Sequence, residues 1–222
     1  MKLSVIKILL VCITLTNFNS TYVQSQVIAQ DGTTYLTVKI NNQRWFAENL
    51  NVSTFRNGDP IPEAQTDSEW SKAAATESSA WCYYMNDNGK DTTVGKLYNW
   101  FAVNDPRGLA PEGWKIPSEQ DFKTLIKNVG NSDAGEKMKS ETGWLYDGNG
   151  SNSSGFNAKP GGYRYDDGSF NAIGIGGGWW SATSKDRYTA YFFYTYFNSN
   201  IVLSHNSAKD GGLSIRCIKE KL

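Results

Sequence analysis

The clearest hydrophobic periodicity in the chain follows Pro117. Ser118 stands as an N-cap with Asp121 three residues on, and Phe122, Leu125, Ile126 and Val129 then share one face until Gly130. That spacing predicts an amphipathic helix with a capping box and a glycine stop. A second helix is expected from Ser68 to Glu77, capped by a serine, and a shorter one from Ser132 to Glu141. Elsewhere the pattern is that of strands. Residues 33–40 alternate in part and are β-rich, and Asn41-Asn42 is a turn signal before Gln43–Phe46, which together read as a hairpin. Residues 81–84 read as a buried strand. After Gly143 the chain turns to Gly, Asn, Ser and aromatics, with short strands expected at 162–165, 179–183, 189–197, 201–204 and 213–218. Helices in the middle and strands at both ends argue for an α+β fold in which the first and last strands lie side by side.

The N-terminal stretch has a different pattern. Lys2 and Lys7 precede an apolar run from Ile8 to Thr16, too short to cross a bilayer, and Val23-Gln24-Ser25 offers small side chains for cleavage before Gln26. Residues 1–25 are therefore expected to be a secretory signal peptide, with one domain spanning 26–222. The competing reading attaches lipid at Cys12. It leaves only Ile8–Val11 between Lys7 and the cut, without a small residue at −1, so secretion is favoured. No later run approaches the ~20 apolar residues of a membrane helix.

Composition narrows the function classes. Basic and acidic residues number 22 each, and discounting Lys2 and Lys7 leaves a net charge of −2, which gives no basic field for nucleic acid. Hydrophobic residues make up 39% of the chain and charged ones 20%, ample for a core and unlike a disordered chain. Cys82 and Cys217 are an even pair in an exported chain. They predict either a long-range disulfide or two separately buried thiols. The single histidine, His205, follows Ser204, and on a strand the two would point to opposite faces, which gives no Ser-His pair. Gly174, Gly176, Gly177 and Gly178 lack the Lys-Ser/Thr of a phosphate loop and read as a tight loop. Asn86–Asp91 and Asp147–Gly150 carry oxygen ligands of the kind calcium prefers, without EF-hand spacing, and those residues are also ordinary turn formers. No metal or cofactor is called for.

Ordered blocks along the chain carry a resemblance. They are Val38–Ile40 with Gln43–Leu50, Gly95–Trp100, Pro111–Ser118, Ser154–Asn157, Pro160–Arg164, Trp179–Thr183 and Ser214–Cys217. Together they resemble the Fibrobacter succinogenes major paralogous domain family over about residues 30–220. One departure is Ala110, where the family often carries Cys before Pro-x-Gly-Trp, which leaves open what partner Cys217 has. More distantly, the Gly-Trp-x-Ile-Pro-Ser-Glu-x-x-Phe block and the terminal Ile-Arg-Cys are similar to the C-type-lectin-like and formylglycine-generating-enzyme superfold. That likeness implies a compact domain with a small antiparallel sheet, two or three helices and a long loop-rich second half. The oxidase uses paired cysteines near its C-terminus. Only Cys217 is present here, so that activity is not expected. Such folds host many functions and do not by themselves select one.

The aromatic surplus is the most informative feature. Eight Trp, twelve Tyr and ten Phe are present, and Tyr188–Phe197 places rings on both faces of a strand. Most must fill the core, with Trp114, Trp179 and Trp180 as plugs. An outward ring would stack on a sugar or anchor a protein. The sequence thus points to a non-enzymatic exported module recognising carbohydrate or a cell surface. An extracellular hydrolase and a subunit of a surface assembly are the alternatives.

Overall fold

A computed structural model describes residues 25–86 and 94–220. Residues 1–24 with Cys12, and residues 87–91 of one calcium-type loop, lie outside the described residues. The fold is α+β, mostly strand, with short helices. Its first sheet has the order β1 (Ser25–Ile28), β2 (Thr34–Ile40), β3 (Gln43–Phe46), β12 (Ile218–Lys219) and β6 (Trp114–Lys115). The expected hairpin is β2–β3, turning at Asn41 with φ +52°. The expected meeting of the chain ends is the pairing of Ile218 with Trp45.

Between these strands run β4 (Trp81–Cys82) and β5 (Leu97–Tyr98), paired as a ribbon, and the helices α1 (Asp67–Ala75), α2 (Trp100–Val103), α3 (Glu119–Val129) and α4 (Ala134–Met138). Helix α3 forms as its pattern demands. Ser118 and Asp121 close a capping box, Gly130 stops it at φ +139°, and Phe122, Leu125 and Val129 are buried. Helix α1 is capped two residues earlier than expected, by Thr66. Glu69 sits three residues after Thr66 and completes the box, a partner that Ser68 lacks.

The second half departs from the loop-rich expectation. It builds a second five-stranded sheet in the order β11 (Leu203–Ala208), β10 (Thr189–Tyr196), β9 (Gly176–Ser184), β7 (Gly161–Arg164) and β8 (Phe170–Ile173). All pairings are antiparallel except β7–β9. Residues 213–214, expected in the last strand, instead make isolated bridges to Tyr98 and Trp179.

Two large cores result. Successive residues of a strand face opposite ways, so Trp179 and Trp180 on β9 enter different cores. Trp180 joins Phe46, Tyr98, Trp114 and Ile215, whereas Trp179 joins Trp45, Phe122, Phe156 and Phe193. Phe122 of α3 stacks on Phe193 of β10 at 4.5 Å and meets Trp45 of β3 at 5.2 Å, so this helix ties the two sheets together.

Candidate functional site

A groove of about 310 Å³ opens on one face of the second sheet. Its floor is β9, where the expected tight loop is instead extended strand. Gly174 makes the turn at φ +75°, and Gly176, Gly177 and Gly178 pair with Tyr196, Thr195 and Tyr194. Glycine is a poor strand former because it has no side chain to pack. Here rings from β10 supply the packing. A Cβ on Gly176 would meet the Tyr196 ring at 3.0 Å, and one on Gly178 would lie 3.7 Å from Phe192. The rings lean over bare backbone.

One wall comes from β10 and β11. Phe192, Tyr194 and Tyr196 alternate out of the sheet and are half-buried, while Phe193 and Thr195 between them are buried on the far side. Phe192 stacks on Tyr194 at 5.2 Å, and Tyr194 meets Tyr196 edge-on at 5.5 Å. The other wall is Tyr163 and Tyr165, whose rings meet at 5.1 Å and whose hydroxyl oxygens lie 3.2 Å apart. Burial, beside the Tyr165 and Tyr196 phenols, raises the Tyr163 phenol above its ordinary range, so it holds its proton at neutral pH.

The described residues keep formal charge out of this groove. Arg164 contributes to the lining, but its side chain is turned inward and fully buried. It donates to Asp67 Oδ1 at 2.7 Å and to the Gly168 carbonyl at 3.0 Å, between the rings of Trp70 and Phe170. None of the described lining residues is acidic. His205 stands on the wall, its ring 6.4 Å from Phe192. Its Nδ1 lies 2.8 Å from the Asn206 carbonyl oxygen and donates to it, which leaves Nε2 as an acceptor in the neutral ring. Ser204 pairs with Phe193, and His205 with Phe192, so the two point to opposite faces as expected.

The remaining sequence candidates do not assemble. Cys82 and Cys217 are free, buried thiols, which corrects the disulfide alternative. The topology separates them. Cys82 sits with Trp70 and Leu97 in a small cluster, while Cys217 lies in the core that contains Trp180 and Ala110. Burial pushes the Cys82 thiol up to about 11 and raises that of Cys217 further, so neither is reactive. In the Asp147–Gly150 turn, Asn149 Oδ1 is taken by the Trp144 backbone N–H. Among the described residues no three metal-ligating side chains converge. No described helix is long and apolar enough to cross a membrane.

The aromatic strand was visible in the sequence, but not which of its rings face out. Tyr163 and Tyr165 were missed as site residues. They lie in and just beyond β7, which joins the floor through a parallel Gly162–Gly177 contact that local patterning does not encode.

Residues 38–219 match the family model of the Fibrobacter succinogenes major domain, and the chain belongs to that family. No curated protein and no solved structure matches it.

Proposed function

We propose that this member of the Fibrobacter succinogenes major domain family is an exported, non-enzymatic recognition module that binds uncharged saccharide in the groove of its second sheet. The observation that carries the reading is the groove itself, in which tyrosine and phenylalanine rings flank a glycine floor and none of the described lining residues is a carboxylate. Aromatic faces take the C–H faces of sugars, and phenol hydroxyls both donate to and accept from sugar hydroxyls. A described lining without acids favours binding over glycoside hydrolysis, which requires a carboxylate pair flanking the bond. Export rests on Lys2, Lys7 and the apolar run after them. A lectin-like arrangement is part of the proposal, supported by the pairing of β3 near the start of the domain with β12 at its end.

The test is a glycan array probed with the purified protein, beside Tyr194→Ala. Binding to neutral glycans that Tyr194→Ala abolishes, with an unchanged melting temperature, is the expected result. Wild-type protein that binds no glycan, or a Tyr194→Ala variant that binds as well as wild type, rules the proposal out.

A further inference from the structure

The groove is not uniform along its length. At one end phenols converge, with Tyr163 and Tyr165 oxygens 3.2 Å apart and Tyr196 beside them in the lining. At the other end Phe192, Leu213 and the bare backbone of Gly178 form an apolar seat, with the exposed His205 ring beside Phe192 at 6.4 Å. Leu213 is buried, and Phe192 is backed edge-on by Trp180 at 6.2 Å. A Cβ on Gly178 would lie 3.1 Å from Leu213 and 3.7 Å from Phe192, so the missing side chain is what leaves this end open. The volume, about 310 Å³, is at the low end for ligand pockets and suits one or two sugar units rather than a long polymer.

A sugar hydroxylated on every side would fit this groove badly. Its hydroxyls would find partners at the tyrosine end, whereas one pressed against Phe192 and Leu213 would lose its water without replacement. Resting on the saccharide reading above, we propose that the preferred ligand is a neutral sugar unit bearing a methyl group. That methyl belongs either to the acetamido group of an amino sugar or to a 6-deoxy carbon. It sits against Phe192 and Leu213 over Gly178, and the ring hydroxyls face Tyr163, Tyr165 and Tyr196.

Titration calorimetry with matched pairs tests this. N-acetylglucosamine is compared with glucose, and L-fucose with L-galactose, from which it differs only in the 6-deoxy methyl. The methyl-bearing member of at least one pair binds about fourfold tighter, the effect of burying one methyl group, and the pair that shows it identifies the source. Gly178→Ala fills the methyl seat. It erases that preference, and a melting curve confirms that the variant is folded. Equal affinities within both pairs, with binding still lost in Tyr194→Ala, overturn this inference and leave the saccharide reading standing. A preference that persists in folded Gly178→Ala overturns the placement of the methyl. Failure of every sugar to bind overturns both readings together.

Discussion

Arg216 is a buried cation with no carboxylate of the described residues at its guanidinium, and replacing it with methionine tests how the domain is held together. The side chain is fully buried. Its Nε donates to Asn49 Oδ1 at 2.7 Å, Nη1 to the carbonyls of Phe46 at 2.9 Å and Phe156 at 2.6 Å, and Nη2 to the carbonyl of Asn157 at 2.9 Å. Burial pushes its pKa down to about 9, so it is still charged at neutral pH. Methionine has similar length and no donor. Asn49 Oδ1 keeps its bond from the Trp179 indole, but the Phe156 and Asn157 carbonyls, which lie outside any strand, lose their donor. One buried and one half-buried acceptor left unmade cost up to about 1–3 kcal/mol each. The opposing term is relief from burying a charge. Exchanging whole buried ion pairs for apolar residues is often neutral or stabilising by about 1–4 kcal/mol. In those exchanges both partners leave together, whereas here the acceptors are main chain and remain. The net expectation for Arg216→Met is a loss of about 2–4 kcal/mol. Urea unfolding followed by tryptophan fluorescence measures it, with Lys123→Met as the control. That residue's exposed pair with Glu119 at 2.7 Å carries at most about 0.5 kcal/mol. An Arg216→Met variant within 1 kcal/mol of wild type, or more stable than it, refutes this account.

Trp114→Ala, Trp179→Ala and Trp180→Ala each remove a buried ring and are expected to cost about 3–5 kcal/mol, enough to unfold or insolubilise a domain of this size. A near-wild-type calorimetric midpoint for any of the three would show that its ring does not carry its core. The thiols of Cys82 and Cys217 are expected to be silent to Ellman reagent in the native protein and both to titrate after unreduced unfolding; finding neither would mean a bridge. Acid stability should fall as Asp105 titrates. A hydrogen bond from the Arg107 side chain outweighs partial burial and, with help from Ser79, holds this carboxyl down to about 2. A lowered folded-state value means the unfolded chain takes up the proton first, so this stabilisation is present above the ordinary carboxylate range and is lost between about pH 5 and pH 2. In Asp105→Asn the acid-unfolding curve should be flatter over that window, and a superimposable curve would discount the contribution.

What could be read from the chain beforehand was whatever local chemistry determines. Helix α3 was legible because its cap, capping partner, apolar face and glycine stop all fall within thirteen residues, Ser118–Gly130. The β2–β3 hairpin was legible from its turn. The strands Leu97–Tyr98 and Trp114–Lys115 were not, since two residues cannot show alternation. Nor was the Gly176–Gly178 segment, whose composition reads locally as a loop and which becomes strand through rings contributed some twenty residues later. The cysteines left their pairing open for a similar reason. An even count constrains pairing only if the topology brings the residues together, and here it places them in separate clusters.

The candidate site was half-legible in the same sense. An aromatic strand with rings on both faces was evident, yet which face is outward depends on register, and a one-residue slip exchanges the two faces. The register of β10 on β9 is interrupted between Ala190 and Phe192 and is then held from Phe192–Trp180 to Tyr196–Gly176. What holds it is the pair of tryptophans. Trp180 is locked into one core and Trp179 into the other, its indole donating to Asn49 Oδ1 at 2.9 Å. With both rings seated, Gly178 and Gly176 can only fall under Tyr194 and Tyr196. The groove therefore rests on rigid strands, not on loops, and its geometry is prepaid by the packing of both cores. This explains why one glycine-tryptophan strand can be both the structural keel of the domain and the floor of the groove. Substitutions at Trp179 and Trp180 should act on that groove through folding, whereas those at Tyr194 and Gly178 act on it directly.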